Sequence, residues 1–130
     1  MTALTIDIVS DLVCPWCFIG KRHLEAALAS MGESAPQVSI RWHPFQLNPD
    51  LPLAGVSRKS YIETKFGGPQ RAAEVYARVK QAGAATGLDL MFDRIEQQPN
   101  TLAGHALVAL AQEEGAGDSV VEALFKAYFE

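Results

Sequence analysis

The chain has 130 residues, of which 48% are hydrophobic, and its formal net charge is -4 at pH 7. This composition matches one globular domain with a core of its own. The sequence has no cluster of lysines and arginines, which excludes a nucleic-acid-binding surface and binding driven by anionic lipid. No apolar stretch approaches the roughly 18 residues that a membrane span needs, so we expect a soluble protein whose partners are small molecules or proteins.

The first 50 residues predict a strand, a helix and a second strand. Apolar residues alternate over 4–8, recur every three or four positions over 15–32, and alternate again over 38–43. Such a unit is typical of parallel strands, and polar residues in the second strand favour a place at the sheet edge. Lys21 and Arg22 are expected on the solvated face of the helix. The N-terminus has no basic run or cleavage site, so we expect a cytoplasmic location.

Residues 51–130 are predicted to be helical after a connector rich in proline. Each of four helices begins at a capping or first-turn residue, namely Ser57, Pro69, Asn100 or Thr101, and Asp118. The first of them is predicted to end at Phe66, before Gly67. The third has Ala103, Ala106, Leu107, Leu110 and Ala111 on one face, the pattern of an amphipathic helix.

These elements predict an α/β chain in two parts, a βαβ half at 1–50 and a helical domain at 51–130. Two parallel strands leave open edges and make too little sheet to be stable alone. Either a partner chain completes the sheet, as a second copy would in a homo-oligomer, or the chain is a fragment.

Cys14 and Cys17 are the only two cysteines of the chain. A disulfide across three positions closes too small a loop to stabilise a fold, and disulfides in a reducing compartment are usually transient and catalytic. A Cys-x-x-Cys pair between a strand and a helix start is typical of a redox site. Zinc would need two further ligands at short spacing, and only three scattered histidines remain, so we predict no metal. Two plain core cysteines are the structural alternative.

The helix start assigns a role to each residue of the pair. Proline is favoured at the first helical position, so Pro15 places Cys14 at the N-cap, where free backbone amides and the helix dipole lower a cysteine pKa. We predict that Cys14 attacks a disulfide and that Cys17, one turn deeper, resolves the mixed disulfide. Trp16 offers apolar surface and Pro15 removes a competing donor, so both are candidate substrate-binding residues.

Residues 10–20, SDLVCPWCFIG, resemble the active-site segment of DsbA-like proteins, in particular of the FrnE-like branch. Residues 41–49, RWHPFQLNP, and residues 99–101 together with His105 resemble two further segments of that branch. The resemblance covers most of the chain, and the combination is far more specific than the cysteine spacing alone.

The resemblance implies a thioredoxin fold with a helical insertion after the second strand, and thiol-disulfide exchange with protein or small thiols. The redox cysteines of the family correspond to Cys14 and Cys17. Asn100, Thr101 and His105 are implied as residues that line the cleft beside the pair. A helix cap for Asn100 and a satisfied core histidine for His105 are the structural alternatives. No cofactor is implied besides the redox-active disulfide, with glutathione as the candidate co-substrate.

The chain also departs from the family pattern. The family continues after the insertion with two strands, a last helix and a cis-proline loop that holds substrate; none of the seven prolines here fits that loop, so the resemblance implies a fragment. A proton-relaying acid is expected about six residues before the nucleophile, where this chain has Ile8. Asp11 is the candidate substitute, together with Asp7, and a turn cap or a strand surface residue is the alternative.

Two other functions stay open. The 2-hydroxychromene-2-carboxylate isomerases and kappa-class glutathione transferases resemble this chain in architecture, but they usually carry serine at the nucleophile position and activate bound glutathione. The third function is a thioredoxin-like binding module whose disulfide acts as a sensor.

Overall fold

A computed structural model describes residues 3–130. Its strands are β1 (Ala3–Ser10), β2 (Gln37–Pro44), β3 (Val56–Ser57) and β4 (Gln97–Gln98). Its helices are α1 (Pro15–Ser30), α2 (Arg58–Phe66), α3 (Pro69–Ala84), α4 (Leu102–Glu113) and α5 (Gly117–Phe129). Within this range no helix combines the length and the apolarity that crossing a bilayer requires.

The predicted βαβ unit is present. Strands β1 and β2 pair in parallel, in a register that runs from Ala3 opposite Gln37 to Ser10 opposite Pro44. The antiparallel pair β3 and β4 was not predicted, because two residues per strand are too few for an alternation to be visible. This pair brings the start of α2 beside the segment that precedes α4.

Helix α2 begins and ends as the sequence predicts. The Ser57 hydroxyl accepts a hydrogen bond from the Ser60 backbone N–H (3.1 Å), which satisfies a free donor of the first turn. Gly67 then ends the helix with φ 82°, a left-handed conformation that glycine adopts without strain. The direction of α2 matters for the site, because its first residue, Arg58, is buried.

One apolar cluster joins the two predicted parts of the chain. Phe18 of α1 stacks on Phe125 of α5 with ring centroids 4.8 Å apart. Trp42 of β2 and Val108 of α4 belong to the same cluster. Residues 1–50 and 51–130 therefore share a core, and the domain boundary at residue 50 stays a prediction.

Helix α4 contacts the sheet with a face that the sequence did not predict. His105, Val108 and Ala111 are buried, whereas Leu107 and Leu110 are about half exposed. Polar contacts orient the helix. The side-chain amide of Gln112 accepts a hydrogen bond from the Trp42 backbone N–H (2.7 Å) and donates one to the Trp42 carbonyl (3.0 Å), so it occupies the outer edge of β2. The predicted apolar residues lie on one face of α4 by their spacing, but only Ala111 among them is buried, and the polar contacts of His105 and Gln112 lie on the side that faces the sheet.

Lys21 is buried rather than solvated, which corrects the sequence-based prediction. Its side chain is 3% exposed and its Nζ lies 3.0 Å from Glu25, 2.9 Å from Glu122 and 3.5 Å from Asp118. The Asp118 carboxylate also accepts a hydrogen bond from Trp42 Nε1 (3.3 Å). Asp118 therefore joins α5 to α1 and β2 and does not cap α5, which begins at Gly117 without a side-chain cap.

Glu122 makes this ion cluster sensitive to pH. Its hydrogen bond with Arg22 lowers the pKa of Glu122 from 4.5 to about 2. Because the folded-state pKa lies below the unfolded value, the stabilisation is complete above pH 4.5 and is lost as the pH falls through about 2. We expect Glu122→Gln to lower the free energy of unfolding by about 1 kcal/mol at pH 7, a value reduced by solvent screening.

Urea unfolding of wild type and Glu122→Gln at pH 7 and at pH 2 tests this expectation. The difference between the two proteins should be much smaller at pH 2, while Glu113→Gln, which changes an exposed glutamate of α4, should show none at either pH. An equal difference at both pH values would contradict the ion-cluster interpretation.

Candidate active site

Cys14 occupies the N-cap of α1, as Pro15 at the first helical position predicted. Its backbone is extended (φ -90°, ψ 109°), and its Sγ accepts a hydrogen bond from the Cys17 backbone N–H at 3.3 Å. A turn in which the Cys14 N–H donates to the Asp11 carbonyl (3.2 Å) leads from β1 into this cap. The sulfur therefore lies at the positive end of a 16-residue helix.

The two cysteines face different surroundings, although both are free thiols and both are half-buried. Cys14 lines a cleft of about 210 Å³, together with Pro15 and the 55% exposed side chain of Trp16. Cys17 instead packs against the apolar core. This arrangement is compatible with attack by Cys14 and resolution by Cys17, roles that stay predictions at this point.

The sequence predicted a lowered pKa for Cys14 alone. In the structure the pKa values of both cysteines are shifted, because the two thiols interact with each other. The hydrogen bond between the two sulfurs lowers the pKa of Cys17 from 9.0 to about 6 and raises the pKa of Cys14 above its usual range. The pair therefore loses one proton near pH 6 and holds the second.

Backbone N–H groups beside the two cysteines influence which sulfur holds the remaining proton of the pair. The N–H groups of Cys17 and Trp16 lower the pKa of Cys14 and so oppose the effect of the sulfur-sulfur bond. Cys17 is stabilised as a thiolate by the Ser10 hydroxyl, a neighbour that sequence reasoning missed, whereas the Asp11 charge disfavours that thiolate. A thiolate on Cys14 forms when the shared proton moves from Cys14 to Cys17, and the two backbone N–H groups beside Cys14 favour that transfer.

Asp11 anchors the loop between β1 and α1. Its side chain is buried, and it accepts hydrogen bonds from the backbone N–H groups of Leu12 and Leu47 (both 2.8 Å) and from His105 Nε2 (2.9 Å). Burial raises the pKa of Asp11, but these hydrogen bonds and one from Thr101 outweigh burial and hold the pKa below 3.8. The contacts support a structural role, and the proton-relay role of Asp11 stays a prediction.

The structure places Asn100, Thr101 and His105 behind Asp11 and outside the cleft that holds Cys14. Asn100 ties the connector to α4, because its Nδ2 donates to the Leu51 carbonyl (2.7 Å) and its Oδ1 accepts from the Leu102 N–H (2.9 Å). Asn100 and Thr101 border a neighbouring depression, and His105 borders a third. Their contacts are those of the cap and core-histidine alternatives; a substrate-binding role for any of them stays a prediction.

Side chains far away in sequence complete the Cys14 cleft. They are supplied by α2, α3, β4 and α5, and include Arg58, Tyr61, Lys65, Tyr76, Gln98 and Tyr128. No local pattern marks them, because helix packing alone brings them to the pair. Residues 3–130 contain no group of three or more His, Cys, Asp and Glu side chains placed to hold a metal ion, and all their peptide bonds are trans.

Comparison with known proteins identifies similar chains. The sequence profile of the DSBA-like thioredoxin domain matches residues 5–130. The chain is 26% identical over 130 residues to uncharacterized protein YwbO of Bacillus subtilis (strain 168), an alignment that covers 96% of this chain and 56% of that protein. The structure is similar to the crystal structure of probable DsbA oxidoreductase SCO1869 from Streptomyces coelicolor, with a TM-score of 0.82 and 27% identity, covering 96% of this chain and 53% of that one. The chain thus spans little more than half the length of either relative.

Proposed function

Because the chain belongs to the DSBA-like thioredoxin domain family, we propose that it is a thiol-disulfide oxidoreductase with Cys14 and Cys17 as its redox pair. The predicted family and the α/β thioredoxin-like fold are confirmed by the profile match and the structural neighbour. The FrnE-like branch, the cytoplasmic location and the protein or small-thiol substrates remain proposals. One observation carries the function: Cys14 caps α1, accepts the Cys17 N–H and opens into a cleft.

The reaction follows from the different surroundings of the two sulfurs. The Cys14 thiolate attacks one sulfur of a substrate disulfide, so that a Cys14–substrate bond forms and the first substrate thiolate leaves. The Cys17 thiolate then attacks Cys14, which releases the second substrate thiolate and leaves a Cys14–Cys17 disulfide. The substrate gains two electrons and the pair loses two. The reverse sequence oxidises a dithiol.

The sulfur-sulfur hydrogen bond supports both steps. Because Cys14 donates to Cys17, the pair has lost one proton above about pH 6, and transfer of the shared proton from Cys14 to Cys17 leaves the nucleophilic thiolate on Cys14. Once Cys14 is bonded to substrate, Cys17 can lose its proton with help from the Ser10 hydroxyl and the Asp11 N–H, which favour its thiolate. Resolution by Cys17 is therefore available at neutral pH.

Trapping of the mixed disulfide tests the proposal. In Cys17→Ser the resolving sulfur is absent, so incubation with 2-hydroxyethyl disulfide should leave Cys14 in a stable mixed disulfide, detected as an added mass of one half of the reagent. Cys14→Ser is the matched control, because it keeps one cysteine that is packed against the core. Equal adduct formation by the two variants would refute the assigned order of attack.

A further inference from the structure

The cleft beside Cys14 is cationic, although the whole chain is acidic. Its only charged lining residues are Arg58 and Lys65, and no aspartate, glutamate or histidine lines it. The chain as a whole carries a net charge of -4. Positive charge is thus concentrated beside the nucleophilic sulfur, where low-dielectric walls strengthen its field.

Arg58 is a buried cation without a carboxylate partner. It is 7% exposed, and its Nη1 donates to Gln98 Oε1 and to the Tyr128 hydroxyl (3.0 Å). Its guanidinium carbon lies 4.9 Å from the ring centroid of Tyr76. Its Nε is buried without a hydrogen-bond partner, and among residues 3–130 no carboxylate forms an ion pair with it. All its contacts are therefore to neutral groups.

Lys65, which is exposed, is the second cation of the cleft and lies about two helical turns further along α2. Its Nζ donates to the Tyr61 hydroxyl (3.1 Å) and lies over the Tyr61 ring, and no carboxylate within the described residues pairs with it. Arg58 differs in this respect from Lys21, the other buried cation described above, which is surrounded by three carboxylates. Burying the Arg58 charge without a counter-ion is costly, so an anionic ligand in the Cys14 cleft would compensate that charge.

We propose that this cleft binds the carboxylate of a small thiol or disulfide substrate at Arg58, with Lys65 adding to the attraction. The inference rests on the proposed function and assigns its substrate class. A cleft of about 210 Å³ admits a short carboxylate-bearing chain rather than a folded domain. The aromatic rings of Tyr61, Tyr76 and Trp16 contact the apolar part of such a chain, and its sulfur reaches Cys14, which attacks it as described above.

Three disulfides of similar size and different charge test the proposal. They are 3,3′-dithiodipropionate, which is dianionic, 2-hydroxyethyl disulfide, which is neutral, and cystamine, which is dicationic. For the wild type, the rate constant of Cys14–Cys17 oxidation should be at least about tenfold higher with the dianionic than with the neutral reagent, and lowest with cystamine. Added salt should reduce the preference.

The rate ratio of dianionic to neutral reagent is the diagnostic quantity, since it cancels general effects on the cysteines. In Arg58→Gln most of the preference should be lost, with only the smaller contribution of Lys65 left, and Arg58→Lys, which keeps the charge, should retain more of it. Arg71→Gln, at an exposed position of α3, should leave the ratio unchanged. A wild-type ratio near one, or a ratio that is unchanged in Arg58→Gln, would overturn the proposal.

Binding without chemistry separates this proposal from the proposed function. Suberate is the all-carbon analogue of 3,3′-dithiodipropionate, so it should bind the wild type in isothermal titration calorimetry and bind Arg58→Gln at least about tenfold more weakly. Absence of suberate binding by the wild type would refute the carboxylate site. Binding of suberate together with inert cysteines would refute the redox function and leave the site in place.

Discussion

Replacement of Cys14 by serine should reduce disulfide-exchange activity to the uncatalysed rate, a loss of at least about 1,000-fold. The reason is that only Cys14 opens into the cleft, while Cys17 is packed against the core. A serine hydroxyl at the same N-cap keeps the helix start and its hydrogen bond, so the variant should fold. Reduction of 2-hydroxyethyl disulfide, coupled to an excess of dithiol, measures the loss.

The pH dependence of alkylation of the cysteine pair adds a second readout. In the wild type the rate of iodoacetamide modification should rise through about pH 6, where the pair loses its first proton, rather than near the ordinary thiol value of 9.0. Full activity of Cys14→Ser would exclude Cys14 as the nucleophile, whereas a wild type without disulfide-exchange activity would exclude the redox function and favour the glutathione-dependent isomerase alternative. An alkylation profile centred near pH 9 would show that the two thiols do not share a proton and that neither has a lowered pKa.

Replacement of Asp11 by alanine should destabilise the fold by about 3–5 kcal/mol, because it leaves buried donors without an acceptor. The backbone N–H groups of Leu12 and Leu47 and the His105 ring all donate to this carboxylate, which is 2% exposed. Such a loss is a large fraction of the stability of a single domain. Urea unfolding at pH 7, followed by circular dichroism, gives the difference in free energy of unfolding.

The pH dependence distinguishes this buried acceptor from a surface carboxylate. The folded-state pKa of Asp11 lies below 3.8, so its contribution is complete above pH 3.8 and is lost as the pH falls through the lower value. Asp7→Ala is the matched control on the preceding strand β1, since Asp7 is exposed and pairs with Arg41 and His43 at the surface. An equally small effect of Asp11→Ala and Asp7→Ala would contradict the anchoring role.

Elements defined by local chemistry were predictable. Pro15 at a helix start placed Cys14 at the N-cap, and Ser57 and Gly67 marked the two ends of α2. These features depend on backbone dihedral preferences and on hydrogen bonds within one turn, so nearby residues suffice to specify them.

Features that depend on distant partners were not predictable. The apolar periodicity of α4 places Leu107 and Leu110 on one face, yet the helix is rotated so that His105 reaches Asp11, 94 positions earlier in the chain. Lys21 looked like a surface residue because its compensating carboxylate on Glu122 lies 101 positions away. The spacing of apolar residues shows which face of a helix is apolar. It does not show which buried polar groups on a neighbouring element need hydrogen bonds from that helix.

The sequence by itself therefore determined the helix that Cys14 caps and the βαβ unit around it, because strand alternation and a proline at the first helical position act over short distances; it also supplied the two cysteines, three positions apart, that we propose as the redox pair. Only the tertiary structure decided what surrounds the pair. The cleft with Arg58 and Lys65, the Ser10 hydroxyl beside Cys17 and the buried Asp11 with its donors all arise when separate elements pack together. The charge of a buried site depends on which partners it finds there, and that is settled by packing.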